Sequence, residues 1–192
     1  RKYLKLPFFC NLVSYGNNVV ASINPEVMHI VKDYLGRYDK VHCFETPNMQ
    51  VLNDAFQKFG HRICFMAEYF LPELSALKPR ECGYELRILQ KEDFVPLYTG
   101  QWDNALCKDR KELDVLGVGA YDGSNLIGLA GCSADGKDMW QIGVDVLKEY
   151  RRQGVASALT SHLALEILKR DKVPFYCAAW SNIPSVRNAV RS

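Results

Sequence analysis

Residues 115–159 read VLGVGAYDGSNLIGLAGCSADGKDMWQIGVDVLKEYRRQGVASAL. Asp122-Gly123 and Asp135-Gly136 stand between runs of small and apolar residues, and Asp-Gly so placed is a strong hairpin signal. Residues 115–146 are therefore expected to form three consecutive antiparallel strands. A helix is expected next, over residues 154–169: Val155, Leu159, Leu163 and Ile167 share one side, and Ala158, Leu165 and Leu168 widen the stripe. Arg151 and Arg152 stand just before that helix, where the macrodipole already presents its positive end. Cations belong there if an anion occupies the turn. Gly154, Val155, Ala156 and Ser157 are small enough to leave the first-turn N–H groups uncovered, so a diphosphate is a suitable guest and the arginines its outer partners. The alternative is two solvated arginines in a surface loop.

Working outward, residues 84–89 read as a strand and 92–98 as a short helix despite Pro96. After the helix at 154–169, PFYCAAW over residues 174–180 reads as a strand, and a further helix begins near Pro184. The order is strand, helix, three strands, helix, strand, helix. Upstream, LPELSALKPRECG over residues 71–83 has two prolines, mixed charge and no sustained period, which suits a linker with a boundary near residue 82. Residues 1–82 then form a smaller α/β domain. Its elements are a hairpin over residues 8–23, a helix started by Asn24-Pro25 and stopped by Gly36, a second helix from Thr46-Pro47 to Gly60, and a strand over 62–70. Nothing in this stretch looks catalytic.

Composition narrows the classes. The 192 residues are 48% hydrophobic and 24% charged, as in a soluble globular protein. Basic residues (24) nearly balance acidic ones (22), so no nucleic-acid partner is expected. No apolar run suits a membrane span. The seven cysteines are odd in number and scattered without a CxxC pair, which points to reduced thiols in a cytoplasmic protein. His61 and Cys64 lack a second ligand pair, so no metal is expected. The chain opens on Arg1 and stops at Ser192 within an apparent helix, and is expected to be a piece of a longer one.

The motif Arg151-Arg152-Gln153-Gly154-Val155-Ala156, after a strand ending Gly143-Val144-Asp145-Val146, resembles the central motif of the GNAT superfamily of acetyl-coenzyme A-dependent N-acetyltransferases. FYCAAWSN and Ile183-Pro184-Ser185 match that family's fifth strand and its Asn-containing exit. The resemblance covers about residues 83–192. It implies an α/β (α+β) fold, with a mixed, mostly antiparallel sheet flanked by helices. It further implies that the amides of Gln153, Gly154, Val155 and Ala156, with Ser157 and the arginines beside them, bind the pyrophosphate of coenzyme A. Val146 and Leu147 would lie along the pantetheine, with an N–H near Val146 polarising the thioester. Asn182 and Ser185 would line the cofactor's other side, and Gly143 would permit a bulge that splays the fourth strand from the fifth.

The implied chemistry is direct attack of an amine on acetyl-CoA, and Asp145 and Glu149 are the nearest carboxylates to act as base. The acceptor amine stays open. Trp140 and Trp180 either shape its pocket or belong to the core, and His162 is read as structural. Residues 1–82 either wall the acceptor side or make a homodimer contact. Two departures stand out: Ala189 occupies the position where many relatives carry a tyrosine acid, and the two strands that end the family fold do not follow. The edge of the strand at 174–180 is then expected to have a covering partner. A non-catalytic acyl-CoA-binding or regulatory module is the alternative to an N-acetyltransferase.

Overall fold

The computed structural model describes residues 8–192, and residues 1–7 of the expected N-terminal domain lie outside that range. The chain divides into two compact units, Arg1–Phe65 and Met66–Ser192. In the smaller, strands β1 (Cys10–Ser14) and β2 (Val19–Ile23) form the expected antiparallel hairpin, with Cys10 opposite Ile23. Asn24 accepts the N–H of Glu26 and caps a short 3-10 turn at Pro25–Val27 that leads into α1 (Met28–Arg37). α1 runs one residue past the expected stop at Gly36. With α2 (Thr46–Gln57) it buries Val27, Val31, Tyr34, Cys43, Leu52 and Phe56 in a core of their own.

The larger unit is built on one six-stranded sheet. Its strands are β3 (Glu68–Phe70), β4 (Glu85–Gln90), β5 (Asp114–Asp122), β6 (Asn125–Ser133), β7 (Met139–Val146) and β8 (Val173–Ala178), in spatial order β3-β8-β7-β6-β5-β4. β5, β6 and β7 form the expected antiparallel meander, and Gly123 takes the positive φ (+60°) that its turn requires. α3 (Val155–Leu168) connects β7 to β8, which run parallel. α4 (Ile183–Arg191) follows. Leu159, Leu163 and Ile167 of α3 are fully buried against Val118, Ala130 and Ile142, each contributing about 1.5–3 kcal/mol of transfer free energy. A second cluster contains Leu89, Phe94, Trp102, Ala105, Leu106 and Leu129.

Three expectations change. The strand expected over residues 62–70 shrinks to Glu68–Phe70, and these residues pair with β8, Tyr69 opposite Cys177. The compact units accordingly divide after Phe65, where the sequence placed a boundary at residue 82, because β3 is part of the larger sheet. The same pairing covers Tyr176–Ala178 of the β8 edge that was expected to need a partner. The short helix near residue 92 is a 3-10 helix, Lys91–Leu97, with Pro96 inside it; proline has no N–H to give an α-helical turn.

Candidate active site

β7 and β8 pair only from Met139 opposite Val173 to Ile142 opposite Tyr176, and beyond that rung they part. On its other side β7 stays paired with β6 without a break, from Ser133 opposite Gln141 to Gly128 opposite Val146. The Leu147 N–H donates to the Ile127 carbonyl at 2.9 Å. Because alternate residues of an antiparallel strand face the same neighbour, the amides of Val144 and Val146 point the opposite way, into the gap left by β8. The Val146 carbonyl points there too, and accepts from Arg151 Nε at 2.9 Å. The sequence singled out Val146. Val144, nearer the fork, was missed because its direction is a matter of register, which the meander alone does not reveal.

The segment that follows turns sharply. A 3-10 turn at Lys148–Tyr150 leads into Arg152 with φ +63° and Gly154 with φ +81°. The left-handed conformation costs a non-glycine residue such as Arg152 about 1–2 kcal/mol. The first helical bond joins the Ala158 N–H to the Gly154 carbonyl at 3.0 Å. No N–H of Gln153, Gly154, Val155, Ala156 or Ser157 has an acceptor among the described residues. These amides open one concave turn at the positive end of α3, an arrangement suited to an anion.

Side chains hold the turn in place. Gln153 Oε1 accepts the Tyr84 hydroxyl at 2.7 Å, and Nε2 donates to the Glu149 carbonyl at 3.1 Å. The Tyr84 and Tyr150 rings meet edge to face, 5.5 Å between centroids. The Tyr150 hydroxyl donates to Asp122 in the first hairpin turn at 3.0 Å, and that bond raises the phenol's pKa. Arg151 reaches the gap edge instead of the helix start, and Arg152 is exposed without an ion pair among the described residues. The Leu147 side chain packs with the Leu129 cluster, and its N–H and carbonyl are taken by Ile127 and Tyr150.

On the α4 side, Asn182 caps the helix by accepting the Ser185 N–H, and Ser185 Oγ lies 2.9 Å from the Tyr176 hydroxyl. Ser157 Oγ donates to Asn188 Oδ1 at 3.1 Å, and Asn188 Nδ2 donates to Thr160 Oγ1 at 3.0 Å. Ser157 is thus committed to the contact between α3 and α4. Asn188, which is buried, and Tyr176 were not singled out from sequence, since each draws its role from a residue on another element. Ala189 lines a cavity of about 260 Å³ together with Ile142, Thr160 and Tyr176.

The two carboxylates offered as bases are placed very differently. Asp145 accepts three hydrogen bonds, from Asn104 N (2.9 Å), Ala105 N (3.0 Å) and Asn104 Nδ2 (2.7 Å). Glu149 is exposed on the turn after β7. Gly143 makes no bulge against β6; a Cβ there would overlap the Asn104 carbonyl, so the glycine serves a close backbone approach. Trp140 packs on the α3 cluster, whereas Trp180 is 58% exposed. His162 Nε2 is buried without a hydrogen-bond partner among the described residues. Those residues contain no group of three or more side chains able to hold a metal and no helix long and apolar enough to cross a membrane.

Solved structures with the same fold include three acetyltransferase-related proteins. A GCN5-related N-acetyltransferase-like protein from Streptococcus suis is 17% identical, with TM-score 0.52, over 75% of this chain and 63% of that one. A GNAT-family acetyltransferase described as putative, from Novosphingobium aromaticivorans, is 18% identical, with TM-score 0.51, over 64% and 55%. A GNAT-family acetyltransferase from Colwellia psychrerythraea is 11% identical, with TM-score 0.52, over 96% and 76%. This chain spans less than two thirds of the first two proteins. At these identities the likeness shows the fold. A search among curated proteins finds none that matches. The family model described as GNAT acetyltransferase matches residues 19–190, reaching well into the N-terminal unit that the sequence resemblance had left out. That match contains both the fork between β7 and β8 and the turn before α3, and the chain belongs to the GNAT acetyltransferase family.

Proposed function

We propose that the unit Met66–Ser192 transfers an acetyl group from acetyl-CoA to an amine, by direct attack within a ternary complex. The observation that carries this reading is a continuity: the amides of Val144 and Val146 face the gap, and a few residues on the chain presents the uncovered amides of residues 153–157. The pyrophosphate fits those amides, with Arg151 and Arg152 supplying positive charge. The pantetheine fits as an added strand on the open edge of β7, beside Val146 and Leu147, with Asn182 and Ser185 on its other side.

The amine lone pair attacks the thioester carbon, and the negative charge that develops on oxygen is met by the Val144 or Val146 amide. A donor of this kind is worth about 3–4 kcal/mol. The C–S bond then breaks and coenzyme A leaves as a thiolate, a tolerable leaving group because thiols titrate near 8.5 in the absence of perturbation. The amine's proton passes to water or to Glu149, while Asp145 is engaged by three donors from Asn104 and Ala105. The six cysteines Cys10, Cys43, Cys64, Cys82, Cys107 and Cys132 are in no disulfide, which supports the cytoplasmic reading.

Ala189 favours a second reading, a non-catalytic acyl-CoA-binding module, because α4 offers no proton donor at that position. Release of free thiol from acetyl-CoA, measured with spermidine, tobramycin, free amino acids and a lysine-containing peptide, separates the two. Amine-dependent release is expected with at least one. Acetyl-CoA binding without release for any amine would support the module.

A further inference from the structure

Gly131 on β6 and Gly143 on β7 stand directly opposite each other. Together they form a shallow trench in the sheet surface, and the backbone of Asn104 and Ala105 lies in it. A Cβ on Gly131 would overlap the Ala105 carbonyl, just as one on Gly143 would overlap that of Asn104. Residues 98–113, which hold only the 3-10 turn Gly100–Trp102, form a strap across this face. Trp102, Ala105 and Leu106 anchor it by burial, while Asn104 stays exposed. Two carboxylates from the sheet pin it. Asp145 takes the Asn104 and Ala105 amides, and the buried Asp114 takes the Cys107 amide at 2.8 Å and the Tyr98 hydroxyl at 3.1 Å.

The strap's location matters for the reaction. The side chains of Val144 and Val146 pack against the α3 cluster on one face of β7. Gly143 and Asp145 occupy the opposite face, where the strap lies. A thioester paired along the β7 edge would lie near the plane of the sheet, and an amine must approach it from above or below that plane. On the Gly143 and Asp145 side the strap is the nearest wall to that approach.

We propose that Asp145 is a positioning residue, which fixes the wall against which the acceptor amine is aimed by holding Asn104 and Ala105 in the Gly131–Gly143 trench. This assignment rests on the acetyl-transfer reading above. It replaces the role of base with that of a clamp, since three donors of the strap already engage this carboxylate.

The test uses the full chain and the variants Asp145→Asn and Asn104→Ala, the second removing only the side-chain bond and serving if the first misfolds. Four quantities are measured: hydrogen exchange at the Asn104 and Ala105 amides, acetyl-CoA affinity by calorimetry, KM and kcat for the best amine of the panel, and the pH profile of kcat/KM. Asp145→Asn is expected to speed exchange at both amides about tenfold or more and to raise the amine KM about fivefold or more. Acetyl-CoA affinity should stay within about twofold, and the acidic limb of the profile should persist. Asn104→Ala should show the same pattern more weakly. Loss of the acidic limb with unchanged exchange would make Asp145 the base and overturn the proposal. An active wild type whose amine KM is indifferent to both substitutions would overturn it alone. A wild type inactive with every amine would overturn the transfer reading and this one with it.

Discussion

The Tyr84 hydroxyl donates to Gln153 Oε1 at 2.7 Å, tying the residue that precedes β4 to the middle of the turn before α3. Gln153 cannot then rotate freely, and its amide is held among the uncovered donors of that turn. A neutral hydrogen bond of this kind is worth about 1 kcal/mol. Tyr84→Phe keeps the ring contact with Tyr150 and removes only the bond. Coenzyme A affinity, measured by calorimetry, is expected to fall by up to about fivefold, with little change in thermal stability.

Gly154 is the left-handed residue at the mouth of α3, with φ +81°. There is room for a side chain, since the nearest atom to an added Cβ is the Glu81 carbonyl oxygen at 3.7 Å. The obstacle is conformational, and it is greatest for a β-branched residue. Gly154→Val is expected to weaken coenzyme A binding several-fold or more, and also to lower the melting temperature while leaving the fold in place. Unchanged affinity would remove the pyrophosphate from this turn.

Burial holds the Asp114 carboxyl above the ordinary carboxylate range, against the opposing effect of its bonds to Cys107 and Tyr98. The folded chain therefore keeps a proton that the unfolded chain releases near pH 3.9. The stability this contributes is complete below that pH and is lost as pH rises through the folded value. Asp114→Asn keeps an acceptor for both donors and cannot titrate. The unfolding free energy of wild type minus that of the variant, from urea titrations, is expected to decrease between about pH 4 and pH 7. A flat difference would mean that the carboxyl titrates alike in both states.

Ala189→Tyr places a phenol into the cavity shared with Tyr176 and Ile142. Because the departing thiolate is already stable near neutral pH, a new acid there has little to add. Turnover of an active amine is expected to change by less than about tenfold across pH 6 to 9. A variant that gains activity absent from the wild type would favour the binding-module reading.

Much of this was legible from local pattern. The Asp-Gly turns set the β5-β6-β7 meander, Asn24-Pro25 marked a helix start, and the small residues after Gln153 marked the exposed amides. What escaped depended on distant neighbours. Glu68–Phe70 is too short to announce itself as an edge strand, and its partner lies more than a hundred residues on. Gly143 was read as a bulge because a glycine in a strand has two common explanations, and only the position of Asn104 decides between them. The donors to Asp145 escaped for the same reason, since they come from a strap some forty residues earlier.

The two edges of the larger sheet, β3 and β4, are neighbours in sequence. Residues 71–84 must therefore pass from one side of the sheet to the other, about 24 Å at the usual strand spacing, and extended they reach about 46 Å. They pass α3 on the way, where the Arg80 N–H donates to Ser161 Oγ at 2.9 Å. This imposes an order on folding. The β5-β6-β7 meander closes through short turns, whereas the β3 rung of Tyr69 and Cys177 closes a loop of more than a hundred residues and gains only a three-residue strand. The crossing segment finds its hydrogen bond only after α3 has docked, so β3 is the last edge to join. In pulsed hydrogen exchange during refolding, protection at Phe70, which stands opposite Tyr176, would appear after that at Leu129.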